Sequence, residues 1–428
     1  MKNYFCILLT LILIFKHSNN NFITFPFKKI LPSDIGVDET NFYSKHENNV
    51  IFTNIKIGTP ATEIKAQIKT NQYSLCIRND SIYNNNLSSS YSSNGKIMEI
   101  YNIDYSTAIS SNETFFLGNE QIKVDKINFM FTQKTKYDLD GILGLQIKEN
   151  NYKVTGHGLI SQLKNRKLIG KEVFFFSFDE NGNDGNLYIG EYPHSIKKFE
   201  NEYQEYNYKW TSIYIPSYDI NFDLKFEKIF WKEKEFQIES RAYISIEKDY
   251  IVGSNNFEDT CYDFFAPFII TKKCKRENVT ILYNGYICDD TPEINISNFS
   301  DIKFYKSDAD HFFILTYEDM FIKKNGKIYF MVLFAKKGYR VDWTLGYQFI
   351  KRNKIIFDID KRVIGFYKGD KKEEKKNSYI MYIAVISLCC AIILGLIGFI
   401  IIKFIFKKRY KRANELEDEY EYNSPINA

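Results

Sequence analysis

The sequence predicts an all-β protein built as two similar halves, followed by one apolar helix near the C-terminus. Three observations carry this expectation. Short runs of β-branched and aromatic residues, separated by Gly, Asn, Ser and Pro, recur from Val50 to Tyr367. The halves, residues 49–200 and 201–368, are of similar length, and each holds a loop followed later by an apolar-apolar-Gly element, a pattern of internal duplication. Residues 379–402 then carry no charged side chain.

In chain order, Phe5 to Phe15 is an apolar run behind Lys2, too short to span a bilayer comfortably, and residues 1–19 read as a secretory signal. Residues 20–48 are a short linker or leader. Val50–Ile57 is a strand, Gly58-Thr59-Pro60 turns the chain, and Ile64–Ile68 alternates as a half-buried strand does. A Ser/Asn-rich loop covers 81–94. Strands follow at Ile97–Tyr105, Thr114–Leu117 and Ile127–Phe131, with a helix over Leu159–Leu168 capped by Gly170. Val173–Phe178 and Leu187–Ile189 are strands, and the polar stretch 197–209 joins the halves. The second series runs from Trp210 through Ala242–Ser245, Ile302–Tyr305, Phe312–Leu315, Ile328–Leu333 and Ile355–Asp358 to a last strand at Arg362–Tyr367.

The chain has 428 residues, 44% hydrophobic and 17% aromatic, so both halves can fill a core. The net charge of +4 is too small to point to nucleic acid. His is scarce and scattered, so no metal or other cofactor is expected. Residues 379–402 are long enough for the roughly 30 Å hydrocarbon core at about 1.5 Å per residue. Lys403, Lys407, Lys408, Arg409, Lys411 and Arg412 crowd their C-terminal side. With the signal, this implies a type I single-pass protein: a juxtamembrane linker over 369–378, a cytoplasmic tail over 403–428, and a lumenal or extracellular ectodomain at the plasma membrane or in a vacuole or lysosome-like compartment. In that compartment Cys76, Cys261, Cys274 and Cys288 are free to form disulfides. The last three lie close together, so a local bridge is expected among them, with the pairing left open. Six sequons, Asn79, Asn86, Asn112, Asn278, Asn295 and Asn298, are glycosylation candidates.

Five pieces, in order, resemble the pepsin-like aspartic peptidase family over residues 48–368. They are Ile57-Gly58-Thr59-Pro60; Tyr105-Ser106-Thr107-Ala108 at the flap; Asp140-Gly141-Ile142-Leu143-Gly144-Leu145; Ala242-Tyr243-Ile244 with Gly253 beyond; and Trp343-Thr344-Leu345-Gly346 with Phe349-Ile350 and Ile356-Phe357-Asp358. The resemblance implies a bilobal fold, two β-barrel-like lobes with a central cleft, and structural roles for Asp140 and Trp343. It also likens Phe25-Pro26-Phe27-Lys28-Lys29-Ile30 to the edge strand that opens the family's prosegments, and puts Cys76 where a buried tryptophan is usual.

The family's chemistry uses two carboxylates sharing one proton, one a base toward water and the other an acid toward the peptide carbonyl. Here the first loop reads Lys69-Thr70-Asn71-Gln72, with Lys69 for the aspartate, and the second, aligned without gaps, reads Ser245-Ile246-Glu247-Lys248, with Ser245 for the aspartate. Tyr347 stands where many members carry Asp. A charged lysine takes no proton from water, so the expectation is a pseudopeptidase with no catalytic residues. Lys69, Thr70, Asn71, Tyr105, Ser245 and Glu247 are its cleft or binding candidates. Lys69 and Glu247 form an ion pair across the cleft floor, or the loops have relaxed apart and both reach solvent. A membrane-anchored protein binding peptides or proteins is the leading function. The alternatives are an aspartic-type endopeptidase using a rearranged carboxylate such as Glu247 or Asp249, and a structural surface glycoprotein.

Overall fold

The computed structural model describes residues 21–30, 42–43, 50–79, 82–99, 107–132, 139–146, 158–180, 182–214, 222–336, 343–367 and 398–409. The signal, Tyr105 and most of the 379–402 segment lie outside these residues. Residues up to Lys368 form one compact unit and Gly369–Ala428 another. Within the second unit residues 398–409 are helical, and among the described residues no helix is long and apolar enough to cross a membrane.

The first unit is built on two sheets. A 13-stranded sheet runs, neighbour to neighbour, through Tyr208–Ser212, Val363–Tyr367, Ile356–Asp358, Val173–Phe178, Asp184–Ile189, Ile23–Ile30, Val50–Ile57, Thr62–Lys69, Gly141–Gly144, Cys76–Arg78, Ile122–Thr132, Thr107–Leu117 and Ser92–Glu99. An 11-stranded sheet holds the strands from Phe222 to Leu345. The last strands of the chain thus leave the second sheet and complete the first, with Ile356–Asp358 antiparallel to Val173–Phe178. Phe174 stacks on Phe357, centroids 4.6 Å apart, and Phe222 packs edge-on against Phe357, so the core runs on from one sheet to the other.

The duplication expected from the sequence is present in the pairing. Ala66–Lys69 runs parallel to Gly141–Gly144, and Ala242–Ile244 runs parallel to Trp343–Leu345. In each half a third short strand, Cys76–Arg78 or Ile251–Gly253, lies antiparallel on the other side of Gly141–Gly144 or Trp343–Leu345. That strand in turn runs parallel to Met130–Thr132 or Val332–Phe334.

Three local expectations change. The first is the Ile23–Ile30 strand, which is not an edge. It pairs with Asp184–Ile189 on one side and Val50–Ile57 on the other, because Phe25 and Phe27 are fully buried and need cover from both neighbours. The second concerns helices. The first ends at Asn165, where Lys167 takes a left-handed φ of 60°, ahead of Gly170. The second half also carries a longer helix, Asn255–Ile270. Its N-cap Ser254 accepts the Phe257 N–H at 3.3 Å, and it buries Phe257, Cys261 and Phe265 at four-residue spacing. The third concerns cysteines. Cys274 and Cys288 face each other across an antiparallel pair and form the disulfide. Cys261 is not in a disulfide: its helix turns the thiol into the core, where it stays free. Closing a 14-residue separation stabilises by about 3 kcal/mol through the unfolded chain. Phe42 and Tyr43 add a second N-terminal anchor. Phe42 stacks on Tyr329 at 3.7 Å, and the buried Tyr43 hydroxyl is shared between the Tyr286 and Phe330 carbonyls at 3.0 and 2.9 Å.

Candidate functional site

Each half delivers one loop by the same device. The first follows the Thr62–Lys69 strand, whose alternation buries Ile64, Ala66 and Ile68. Lys69 is paired opposite Gly144. The Leu145 N–H donates to the Lys69 carbonyl at 2.8 Å and the Gln146 N–H to the Gln72 carbonyl at 2.9 Å. A Cβ on Gly144 would lie 2.4 Å from the Gln72 oxygen and 2.6 Å from the Ser74 oxygen, so only glycine lets the loop close this tightly. In the second half the Ser245 N–H donates to the Leu345 carbonyl at 3.1 Å and the Tyr347 N–H to the Lys248 carbonyl at 2.6 Å. A Cβ on Gly346 would meet the Lys248 and Tyr250 oxygens at 2.3 and 2.4 Å. Ile244 pairs with Leu345, so one residue further Ser245 falls opposite Gly346, as Lys69 does opposite Gly144. Lys69 and Ser245 therefore occupy equivalent stations at the two strand ends.

The loops are tied together, not relaxed apart. Glu247 reaches from the second loop into the first. Its Oε1 accepts the Thr70 N–H and, at 3.0 Å, the Asn71 N–H. Its Oε2 accepts the Ser245 hydroxyl at 2.6 Å and the Thr70 hydroxyl at 3.1 Å. Thr70 Oγ1 in turn accepts the Ile246 N–H at 3.3 Å. A carboxylate offers about four lone-pair sites, and these four donors occupy them. Glu247 thus acts as a structural acceptor that ties the two loops together.

Lys69 is 6% exposed and Glu247 8%, so neither side chain reaches solvent freely. Lys69 lies near enough to Cys76 to oppose, through its charge, the upward push that burial gives the thiol. Burial dominates and takes that thiol to about 12. Cys76 is thereby an inert buried hydrophobe, as expected of a residue in the usual tryptophan position. Trp343 is fully buried, its Nε1–H donating to Gln237 Oε1 at 3.1 Å, and Asp140 Oδ2 accepts the Lys65 N–H at 3.0 Å. Among the described residues, no three His, Cys, Asp or Glu side chains gather as metal ligands.

Lys29, to which the sequence reading gave no role at the site, reaches the second loop from the N-terminal strand. Lys29 Nζ lies 2.7 Å from Asp249 Oδ1, with side-chain exposures of 8% and 1%. The same ammonium sits 4.5 Å above the Tyr347 ring. The Tyr347 hydroxyl donates to the Gly182 carbonyl, and burial followed by the Asp249 charge pushes that phenol well above its usual range. A signal for Lys29 existed. Strand alternation puts it in phase with the buried Phe25 and Phe27, an unusual place for a lysine without a partner. The partner, 220 residues away in sequence, carried no such signal.

The sequon asparagines are exposed at Asn79, Asn86, Asn278, Asn295 and Asn298, while Asn112 is half-buried within a strand. The Asn295 side chain accepts the Ser297 N–H at 3.1 Å and hydroxyl at 2.7 Å.

Comparisons with known proteins agree with this frame. The sequence profile described as Eukaryotic aspartyl protease matches residues 51–368. No curated protein matches the chain. Among solved structures, the crystal structure of basic 7S globulin from soybean is similar with a TM-score of 0.61 at 13% sequence identity, covering 82% of this chain and 98% of that one. At that identity the likeness shows the fold alone, and it is the all-β, bilobal, pepsin-like one. With the family profile spanning both loops and the sheet that joins them, the chain belongs to the eukaryotic aspartyl protease family.

Proposed function

We propose that the chain is a membrane-anchored pseudopeptidase that binds peptides or proteins through its cleft or lobe surfaces. The observation that carries the reading is the occupancy of Glu247. The carboxylate at the paired loops is filled by donors from Thr70, Asn71 and Ser245, and the two aspartate stations hold Lys69 and Ser245. Asp249, the other nearby carboxylate, is buried against Lys29. Neither is available as the base that peptide hydrolysis needs. The anchor is the uncharged 379–402 segment with its basic flank, which together with the signal favours a lumenal or extracellular ectodomain.

The test is an assay of the purified protein on unfolded protein substrate at acid pH, with and without a transition-state-mimicking aspartic-peptidase inhibitor. No inhibitor-sensitive turnover is expected. Cleavage that the inhibitor blocks and that a Lys69→Ala variant loses would overturn the proposal.

A structural surface glycoprotein is the second reading, favoured by the burial of Lys69 and Glu247 at the junction of the loops. Saturable binding of extended peptides to the purified protein, weakened by substitution at Asn71, separates the two. Its absence supports the structural role.

A further inference from the structure

Beside the first loop, and sharing none of the residues of the Glu247 clasp, lies a cavity of about 270 Å³. Tyr73 and Gln146 tie it to that loop. The Tyr73 ring enters because residue 158 is glycine; a Cβ there would meet the ring at 2.5 Å. The opposite wall is the turn between the last two strands, which brings in Asp360 and Arg362. Arg362 holds a left-handed φ of 54°, and its N–H closes the turn on the Ile359 carbonyl at 3.3 Å.

The charges of this wall are unbalanced. Asp360 Oδ2 accepts the Glu172 N–H at 3.1 Å, so the two acidic residues are held side by side. Burial, followed by the Asp360 charge, raises the Glu172 carboxyl above its ordinary range. Only the Ser161 hydroxyl, at 3.4 Å, donates to the Glu172 carboxylate among the described side chains. Lys164, whose charge acts weakly in the other direction, has its ammonium on the Gly170 carbonyl. Arg362 makes no ion pair among the described residues. The cavity therefore presents two carboxylates and one guanidinium, an arrangement complementary to two ammonium groups and one carboxylate. Its volume falls just below the roughly 300–1,000 Å³ of sites for drug-sized molecules, which fits a ligand the size of one amino acid.

We infer that this cavity binds a free basic amino acid of the lysine class, with its ammonium groups at Glu172 and Asp360 and its carboxylate at Arg362. The Tyr73 and Ser161 hydroxyls supply the remaining polar contacts. This site adjoins the first loop but shares no residue with the Glu247 clasp, and it does not depend on the loops being catalytically silent.

Isothermal titration of the full chain with L-lysine tests it. Saturable binding with a Kd of about 0.1–1 mM is expected. L-Norleucine, which lacks the second ammonium, and L-glutamate should bind at least ~10-fold more weakly. Asp360→Asn and Arg362→Gln should each weaken lysine binding by about tenfold. Both side chains are exposed, so each variant should keep the wild-type melting temperature, measured alongside. Absence of saturable lysine binding up to about 10 mM would overturn the inference. So would norleucine binding equal to lysine, or lysine binding unchanged in both variants.

Discussion

Glu247 shows how one side chain can join two loops. The resemblance to the family implies a glycine at this position, where the backbone would approach the catalytic water. Here a side chain fills the space and satisfies the N–H groups of Thr70 and Asn71 together with two hydroxyls. Removing it strands buried donors, each costing about 1–3 kcal/mol. Glu247→Ala should therefore destabilise by about 3 kcal/mol or more in denaturant unfolding, while Glu247→Gln, which keeps one acceptor for the backbone, should cost less. An alanine variant as stable as the wild type would show that the clasp is not formed. Glu172 behaves in the opposite sense. Its folded carboxyl is raised by burial and by Asp360, so its ionised form is the disfavoured one. Glu172→Gln should thus be at least as stable as wild type at neutral pH. Any advantage should shrink as pH falls through the raised value toward the ordinary carboxylate range, because the wild-type residue then takes up its proton. A melting-temperature series from pH 7 to about pH 4 checks the sign.

At the scale of elements, the Ile23–Ile30 strand is the main revision. Resemblance to a removable leader strand suggested an edge; pairing on both sides makes it an interior strand of the 13-stranded sheet. Burying Phe25 and Phe27 contributes roughly 2–3 kcal/mol each, and Lys29 fastens the strand to Asp249 of the second loop. Lys29→Met removes the ammonium that lies 2.7 Å from the buried Asp249 carboxylate and should cost about 3–5 kcal/mol, whereas the double variant Lys29→Met/Asp249→Asn should recover much of that loss. Additive effects of the two substitutions would refute the coupling. The position of Lys29 was legible in the alternation of its strand; its partner was not, since contact between residues 29 and 249 arises only when the halves pack. The cysteines follow the same logic. Sequence proximity placed Cys261, Cys274 and Cys288 together, but a helix aims the first into the core while an antiparallel pair aligns the other two.

At the scale of the molecule, the exposed Asn79, Asn86, Asn278, Asn295 and Asn298 lie on strand ends and turns and are open to modification, whereas Asn112 is half-buried in a strand. Protein made through a secretory pathway should lose mass on treatment with an amide-cleaving glycosidase, with Asn112→Gln leaving the shift unchanged and Asn86→Gln reducing it. A protein whose mass the glycosidase does not alter would count against a glycosylated ectodomain. The sequence by itself determined the family frame. Gly144 and Gly346 are legible as members of the short motifs Asp140–Leu145 and Trp343–Gly346, and Lys69 and Ser245 are legible because the first stands nine residues after Ile57-Gly58-Thr59-Pro60 and the second directly follows Ala242-Tyr243-Ile244 in a gapless run to Gly253. These are local constraints, written within a few residues of one another. Tertiary structure decided the rest: that Glu247 crosses to Thr70, that Lys29 meets Asp249, that the last strands return to the first sheet, and that Glu172 and Asp360 share a cavity wall with Arg362. Each joins segments more than 170 residues apart, so periodicity could place the partners on their own elements, and only the packing of the two halves could bring them within bonding distance.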